Sequence, residues 1–146
     1  MHPRTQGDLG EASAIQWLTT VGAIVSKPLF HSPDYDLVAE MGGRLVRVEV
    51  KTTCSRTPFN HWQARLCTRG GNQSWSGTTK HFDPRRCDFV FVHAGDGRRW
   101  FIPTVAIEAT SAIVLGGPKY SEFEVERGVP LPAQTAPTAA STIALP

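Results

Sequence analysis

The stretch from Asp36 to Lys51, DLVAEMGGRLVRVEVK, constrains this chain more than any other. Two apolar runs rich in Val and Leu flank Gly42-Gly43, and glycine accepts the positive φ that a two-residue hairpin turn needs. With the glycines as the loop, Met41 faces Arg44, Leu37 faces Val48 and Asp36 faces Glu49. Opposed residues in such a hairpin lie roughly 4.5–5.5 Å apart, and side chains alternate between its faces. Val46, Val48 and Val50 therefore share a core face with Leu37, Ala39 and Met41. Asp36, Glu49 and Lys51 converge on the opposite face.

Two carboxylates held this close repel unless something positive lies between them. A hard cation such as Mg²⁺ takes oxygen ligands and is commonly held by one or two carboxylates together with phosphate and water. Asp36 and Glu49 are thus candidate ligands for Mg²⁺, with Mn²⁺ as a substitute. Lys51 is a compact ammonium that can orient an attacking water and offset phosphate charge.

A third carboxylate belongs to a helix expected over 5–21. Thr5 with Asp8 three residues on resembles a capping box, and Gly22 is a plausible stop. Glu11 lies seven positions before Leu18, flanked along the helix by Ala14 and Ile15, so it sits on a largely apolar stripe. A carboxylate there is costly to bury without a partner. It is a candidate for the same metal, directly or through a water.

The rest of the 146 residues fits one domain. The expected order continues with a strand over 23–26, open to extension toward Phe30, before the hairpin, a strand over 61–68, a loop over 69–86 with room for a short helix near Pro84, and paired strands at 88–93 and 99–103 around a Gly95-Asp96-Gly97 turn. A short helical turn is expected over 104–110. Residues 128–146, rich in Pro, Ala and Thr, are expected to form a mobile tail after a domain spanning 1–127. Net charge is only +2, so composition does not by itself indicate nucleic acid. Local charge says more: Arg47, Lys80, Arg85 and Arg86 are candidate phosphate contacts, and Arg47 shares the face of Glu49. Trp75, among Gly and Ser, is a candidate for stacking on bases, whereas Trp62 reads as packing. Cys54, Cys67 and Cys87 lack C-x-x-C spacing, which argues against zinc or a disulfide framework and for reduced thiols in the cytoplasm. No apolar run reaches membrane-span length.

GDLGEA at 7–12, YDLV at 35–38 and VEVKTT at 48–53, with weaker matches CDFVFV, FIP and KYSEF further on, make the chain resemble the PD-(D/E)XK nuclease superfamily. The likeness runs from about Gly7 to Phe123. It is nearest to the small group I intron homing endonucleases and extends more distantly to archaeal-type Holliday junction resolvases. The resemblance implies a restriction-endonuclease-like α/β fold with an αβββαβ core, a mixed central sheet and flanking helices. It implies Mg²⁺-dependent hydrolysis of DNA phosphodiesters by Glu11, Asp36, Glu49 and Lys51, with the Val50 carbonyl as a further metal ligand and Gln63 at a polar position after the motif. Asp34, in the literal Pro33-Asp34 pair, competes with Asp36 for the first ligand role. Cutting both strands of DNA implies a homodimer or homotetramer. A junction resolvase, a subunit of a phage or restriction system, and a catalytically inactive DNA-binding module of the same fold are the alternatives.

Overall fold

A computed structural model of the chain describes residues 1–69 and 79–133. It opens with helix α1, Pro3–Thr20. The helix starts two residues before the expected Thr5. His2 is the N-cap, its Nδ1 accepting the Arg4 N–H at 3.2 Å, and Pro3 takes the first turn, where a missing N–H costs nothing. The expected stop does terminate it. Gly22 has φ +91°, its N–H donates to Thr19 O, and the Ala23 N–H donates to Leu18 O, the paired bonds of a Schellman ending.

Strands β1 (Ile24–Ser26), β2 (Leu37–Met41) and β3 (Arg44–Thr53) follow, then β4 (Trp62–Arg65), β5 (Thr68–Arg69) and β6 (Thr79–Lys80). Next come β7 (Phe89–Ala94), β8 (Arg99–Pro103), β9 (Ala112–Leu115) and β10 (Glu124–Val125), with 3-10 turns at Thr104–Ala106 and Ser121–Phe123. Six strands form one sheet in the order β1-β2-β3-β7-β8-β10. It is mixed, because β3 and β7 run parallel while its other pairings are antiparallel. The hairpin register is the one the Gly-Gly turn dictates, with Leu37 opposite Val48 and Met41 opposite Arg44. Between Thr53 and Phe89 the described residues form short strands and turns, and α1 is the one α-helix among the described residues.

The sheet has an apolar core on each side. On one face Ala14, Trp17 and Leu18 of α1 pack on Leu37, Ala39, Val46, Val48 and Phe91. On the other, β4 and β9 pair as a separate ribbon and place Trp62, Ala64, Ile113 and Leu115 against Val90, Val92, Trp100 and Ile102. Helix, sheet and ribbon are thus three layers, each apolar face meeting another. The segment expected to be mobile begins with residues bonded to this body. Gly128 N–H donates to Gly97 O at 2.7 Å and Leu131 N–H to Gly95 O at 3.0 Å. Residues 134–146 lie outside the described part.

Gly10 fixes how α1 sits on the sheet. A Cβ there would lie 1.9 Å from Thr52 Oγ1, so the helix can approach β3 this closely only without a side chain.

Candidate active site

The hairpin ladder ends at Leu37, and the residue before it leaves the regular pattern. The Asp36 N–H donates to Val48 O at 2.9 Å, and the Asp36 carboxylate itself accepts the Val50 N–H at 2.7 Å. Asp36 therefore closes the strand end with its side chain and does not continue the direct opposition to Glu49 that the turn register suggests. Two residues along β3, Lys51 Nζ lies 2.8 Å from Glu49 Oε1, and both side chains are about four-fifths buried. Side chains at i and i+2 of a strand share a face, which is why this pair meets.

Glu11, carried by α1 beside Gly10, is paired with Lys27, the first residue after β1. It lines the same cleft as Asp36. Asp34 and Glu49 line a neighbouring cleft with Lys80, Arg86 and Cys87. Asp34 lies 3.3 Å from Arg86 Nη1 and 3.6 Å from Lys80 Nζ, so it is engaged by these cations. The carboxylates form a series running Glu11, Asp36, Glu49, Asp34, with Lys27 at one end, Lys51 inside it and Lys80 and Arg86 at the other.

Electrostatics follow from this layout. Burial pushes the Asp36 carboxyl above the usual range; the Val50 N–H and Lys51 oppose the shift, and Glu11 adds to it. Burial likewise raises Glu49, opposed by Lys51 and reinforced by Asp36 and Asp34. Both acids thus sit where negative charge is incompletely compensated by the chain's own groups, an environment suited to a further cation. The donors are hard oxygens. The neighbouring sulfur offers no soft alternative, since burial, and then Glu49, push the Cys87 thiol up to about 12. This donor set fits Mg²⁺ or Mn²⁺. Among the described residues, no three His, Cys, Asp or Glu side chains converge tightly enough to form a ready-made metal cluster. Two carboxylates completed by a backbone carbonyl and water are within what Mg²⁺ accepts.

The basic candidates divide. Lys80 and Arg86 gather at the clefts. Arg47 does not: Asp88 binds its backbone N–H at 2.7 Å and its Nε at 3.2 Å, and Arg85 O takes its Nη2. This clasp joins the hairpin to the start of β7. Arg85 is paired with Asp83 and is otherwise exposed. The Gln63 side chain points to solvent, while its carbonyl accepts from Thr53 Oγ1. Trp75 lies outside the described residues. Lys27 and Gly10 were not singled out from the sequence. Gly10 had a signal, a glycine inside a helix that costs about 1 kcal/mol unless packing requires it. Lys27 had none, because its partner is brought in by the fold.

A helix-backed mixed sheet whose central hairpin carries paired acids and a lysine defines the class, the restriction-endonuclease-like α/β nucleases. The PD-(D/E)XK endonuclease family matches residues 1–114, and the chain belongs to it. Among solved structures it is similar to a bacterial homing endonuclease, I-Ssp6803I, with 21% identity and a TM-score of 0.73 over 85% of this chain and 89% of that one. No curated protein matches.

Proposed function

We propose that this chain is a divalent-metal-dependent DNA endonuclease that hydrolyses phosphodiester bonds at the Asp36–Glu49–Lys51 site. The observation that carries this reading is the Lys51–Glu49 pair standing next to an Asp36 carboxylate whose charge is incompletely offset. Asp36, Glu49 and the Val50 carbonyl would hold Mg²⁺, with Mn²⁺ as substitute, and Glu11 would contribute directly or through a water. When bound, the ion supplies Lewis-acid polarisation of the phosphate and acidifies water. Lys51 orients the attacking water by its ammonium and offsets charge developing on the phosphate. Glu49 holds that ammonium in place. The Val50 N–H fixes Asp36, so the acid does not depend on a rotamer alone. Lys80 and Arg86, at the adjoining cleft, supply phosphate contacts for the DNA strand.

The homing endonuclease neighbour makes a homing-type substrate the first to test, ahead of a four-way junction or a restriction-system target. One site cuts one strand, so action on both strands calls for a homodimer or homotetramer. Among the described residues, no helix is long and apolar enough to cross a membrane. Free thiols at Cys54, Cys67 and Cys87 favour a reducing, cytoplasmic setting.

Purified protein with Mg²⁺ should nick DNA from a panel of linear, nicked, four-way and single-stranded substrates. Asp36→Ala and Lys51→Ala should abolish nicking with the fold retained. Mg²⁺ should also raise the melting temperature of the wild type, by the equivalent of about 2.7 kcal/mol at a hundredfold excess over its dissociation constant. Activity surviving both substitutions would remove the mechanism. A melting temperature indifferent to Mg²⁺ and Mn²⁺ would favour a module that binds DNA without cutting it.

A further inference from the structure

The loop between β1 and β2 carries two large apolar side chains that no other side chain among the described residues covers. Leu29 is 94% exposed and Phe30 is 87% exposed. They are adjacent in sequence, and neither joins either core. Both line the cleft that holds Glu11 and Asp36, together with Lys27 and His31. An exposed Leu-Phe pair is unfavourable in water and marks a contact surface. Its place identifies the occupant. A strand whose phosphate reached Asp36 would run past this loop, since the apolar pair and Asp36 line one cleft. A protein seated on the same two residues would cover the cleft that the phosphate must enter. Phe and Leu are also among the side chains that proteins push between base steps, unstacking them and kinking the duplex.

We propose that Leu29 and Phe30 form a wedge that enters one base step of bound duplex DNA beside the scissile phosphate. Opening that step turns the backbone toward Glu11 and Asp36. The inference rests on the DNA-cleaving reading for its ligand, and it adds the element that deforms the DNA. It makes cleavage sensitive to how readily the target unstacks, so flexible pyrimidine–purine steps at the cut site are preferred over stiff ones.

The test compares one plasmid in two forms, linear and negatively supercoiled, so that sequence is held constant. Phe30→Ala should nick the linear form about tenfold or more slowly than wild type, the size expected for one lost aromatic–base stack. On the supercoiled form the loss should be smaller, because underwinding supplies part of the opening. Phe30→Trp should retain activity on both. An assay without cleavage follows fluorescence of 2-aminopurine in a duplex with Ca²⁺ replacing Mg²⁺. Wild type should raise it, and the Phe30→Ala/Leu29→Ala variant should not. Both positions are exposed, so the variants should unfold at the wild-type urea concentration. Equal losses on the two plasmid forms, no loss on either, or an unchanged 2-aminopurine signal would each overturn the wedge. So would sedimentation showing a wild-type dimer that Phe30→Ala converts to monomer, which would assign the pair to a second copy of the chain. The two readings fail separately. Wild type that nicks no DNA but gives a Phe30-dependent fluorescence rise keeps the wedge and removes the nuclease; nicking that is indifferent to Phe30 does the reverse.

Discussion

Two glycines of the same helix should respond in opposite directions to the same substitution. Gly7 has no heavy atom within 4 Å of the place where a Cβ would stand. Gly7→Ala should therefore show only the helix-propensity gain, about 1 kcal/mol of added stability. At Gly10 the same gain meets a collision. The new Cβ would lie 1.9 Å from Thr52 Oγ1, 3.1 Å from Thr52 Cβ and 3.3 Å from Thr52 Cγ2. Turning Thr52 about its first torsion moves Oγ1 away but leaves its Cβ too near, and a β-branched residue on a strand has few rotamers to offer. Overpacking costs about 1–3 kcal/mol, and an overlap this deep belongs at the upper end. Subtracting the gain leaves Gly10→Ala destabilised by about 2 kcal/mol. Urea unfolding followed by fluorescence of Trp17, buried under the same helix, measures both variants. Adding Thr52→Ala to Gly10→Ala removes Oγ1 and Cγ2 but keeps the Cβ at 3.1 Å, so it should return part of the loss. Because Glu11 is the next residue, Gly10→Ala should also slow nicking beyond the effect of its stability, and Thr52→Ala should restore part of that rate. A Gly10→Ala protein as stable as Gly7→Ala would show that α1 does not rest on β3 as described.

Arg47→Ala should cost about 1 kcal/mol or less, since its clasp with Asp88 is partly exposed, and should leave the salt dependence of DNA binding unchanged. A reduced salt slope would return Arg47 to the DNA contacts. Acid should weaken the fold through His93, whose ring nitrogens bond Ser13 Oγ at 2.7 Å and Val129 O at 2.9 Å and whose pKa burial depresses. Its contribution is fully present above the unfolded value of about 6.5 and is lost as pH falls through the lower folded value, so the urea midpoint should drop from pH 7 to 5, and His93→Gln should flatten that drop. Cys87 should resist iodoacetamide in the native protein at pH 8 and react once the chain unfolds, as its buried thiol with a pKa of about 12 requires; native-state labelling at the rate of a free thiol would contradict this.

What the sequence could show was what local periodicity and turn chemistry encode. Gly42-Gly43 set the register of β2 and β3 because a two-residue turn leaves no slack. Val alternation on β3 separated the core face from the face that carries Glu49 and Lys51, and Gly22 announced the end of α1. The start of α1 was displaced because His2 and Pro3 satisfied the first turn before Thr5 could act as a cap. The β4–β9 ribbon was not foreseen, since its strands are fifty residues apart and pairing at that range leaves no local mark. Arg47 lies on the strand face of Glu49 as alternation implies, but its clasp by Asp88 has no local mark, because Asp88 reaches it only through the parallel pairing of β3 with β7. The same limit hid Lys27, whose partner Glu11 lies across the α1–β1 turn.

The three acids owe their positions to unrelated devices, and this makes the site separable by experiment. Glu49 and Lys51 meet because a strand repeats every two residues, so any change that preserves β3 preserves them. Asp36 is set by a backbone donor, the Val50 N–H, and answers to the end of the ladder and not to any neighbouring side chain. Glu11 is set at a distance, by how closely Gly10 lets α1 approach Thr52. Disturbing the helix should therefore displace Glu11 while the Asp36–Glu49–Lys51 group keeps its geometry. If Glu11 only tunes the site, Gly10→Ala should slow nicking yet leave the Mg²⁺-induced rise in melting temperature near its wild-type size. If Glu11 is a direct ligand, rate and thermal shift should fall together, and the ratio of the two losses reads out which role it has.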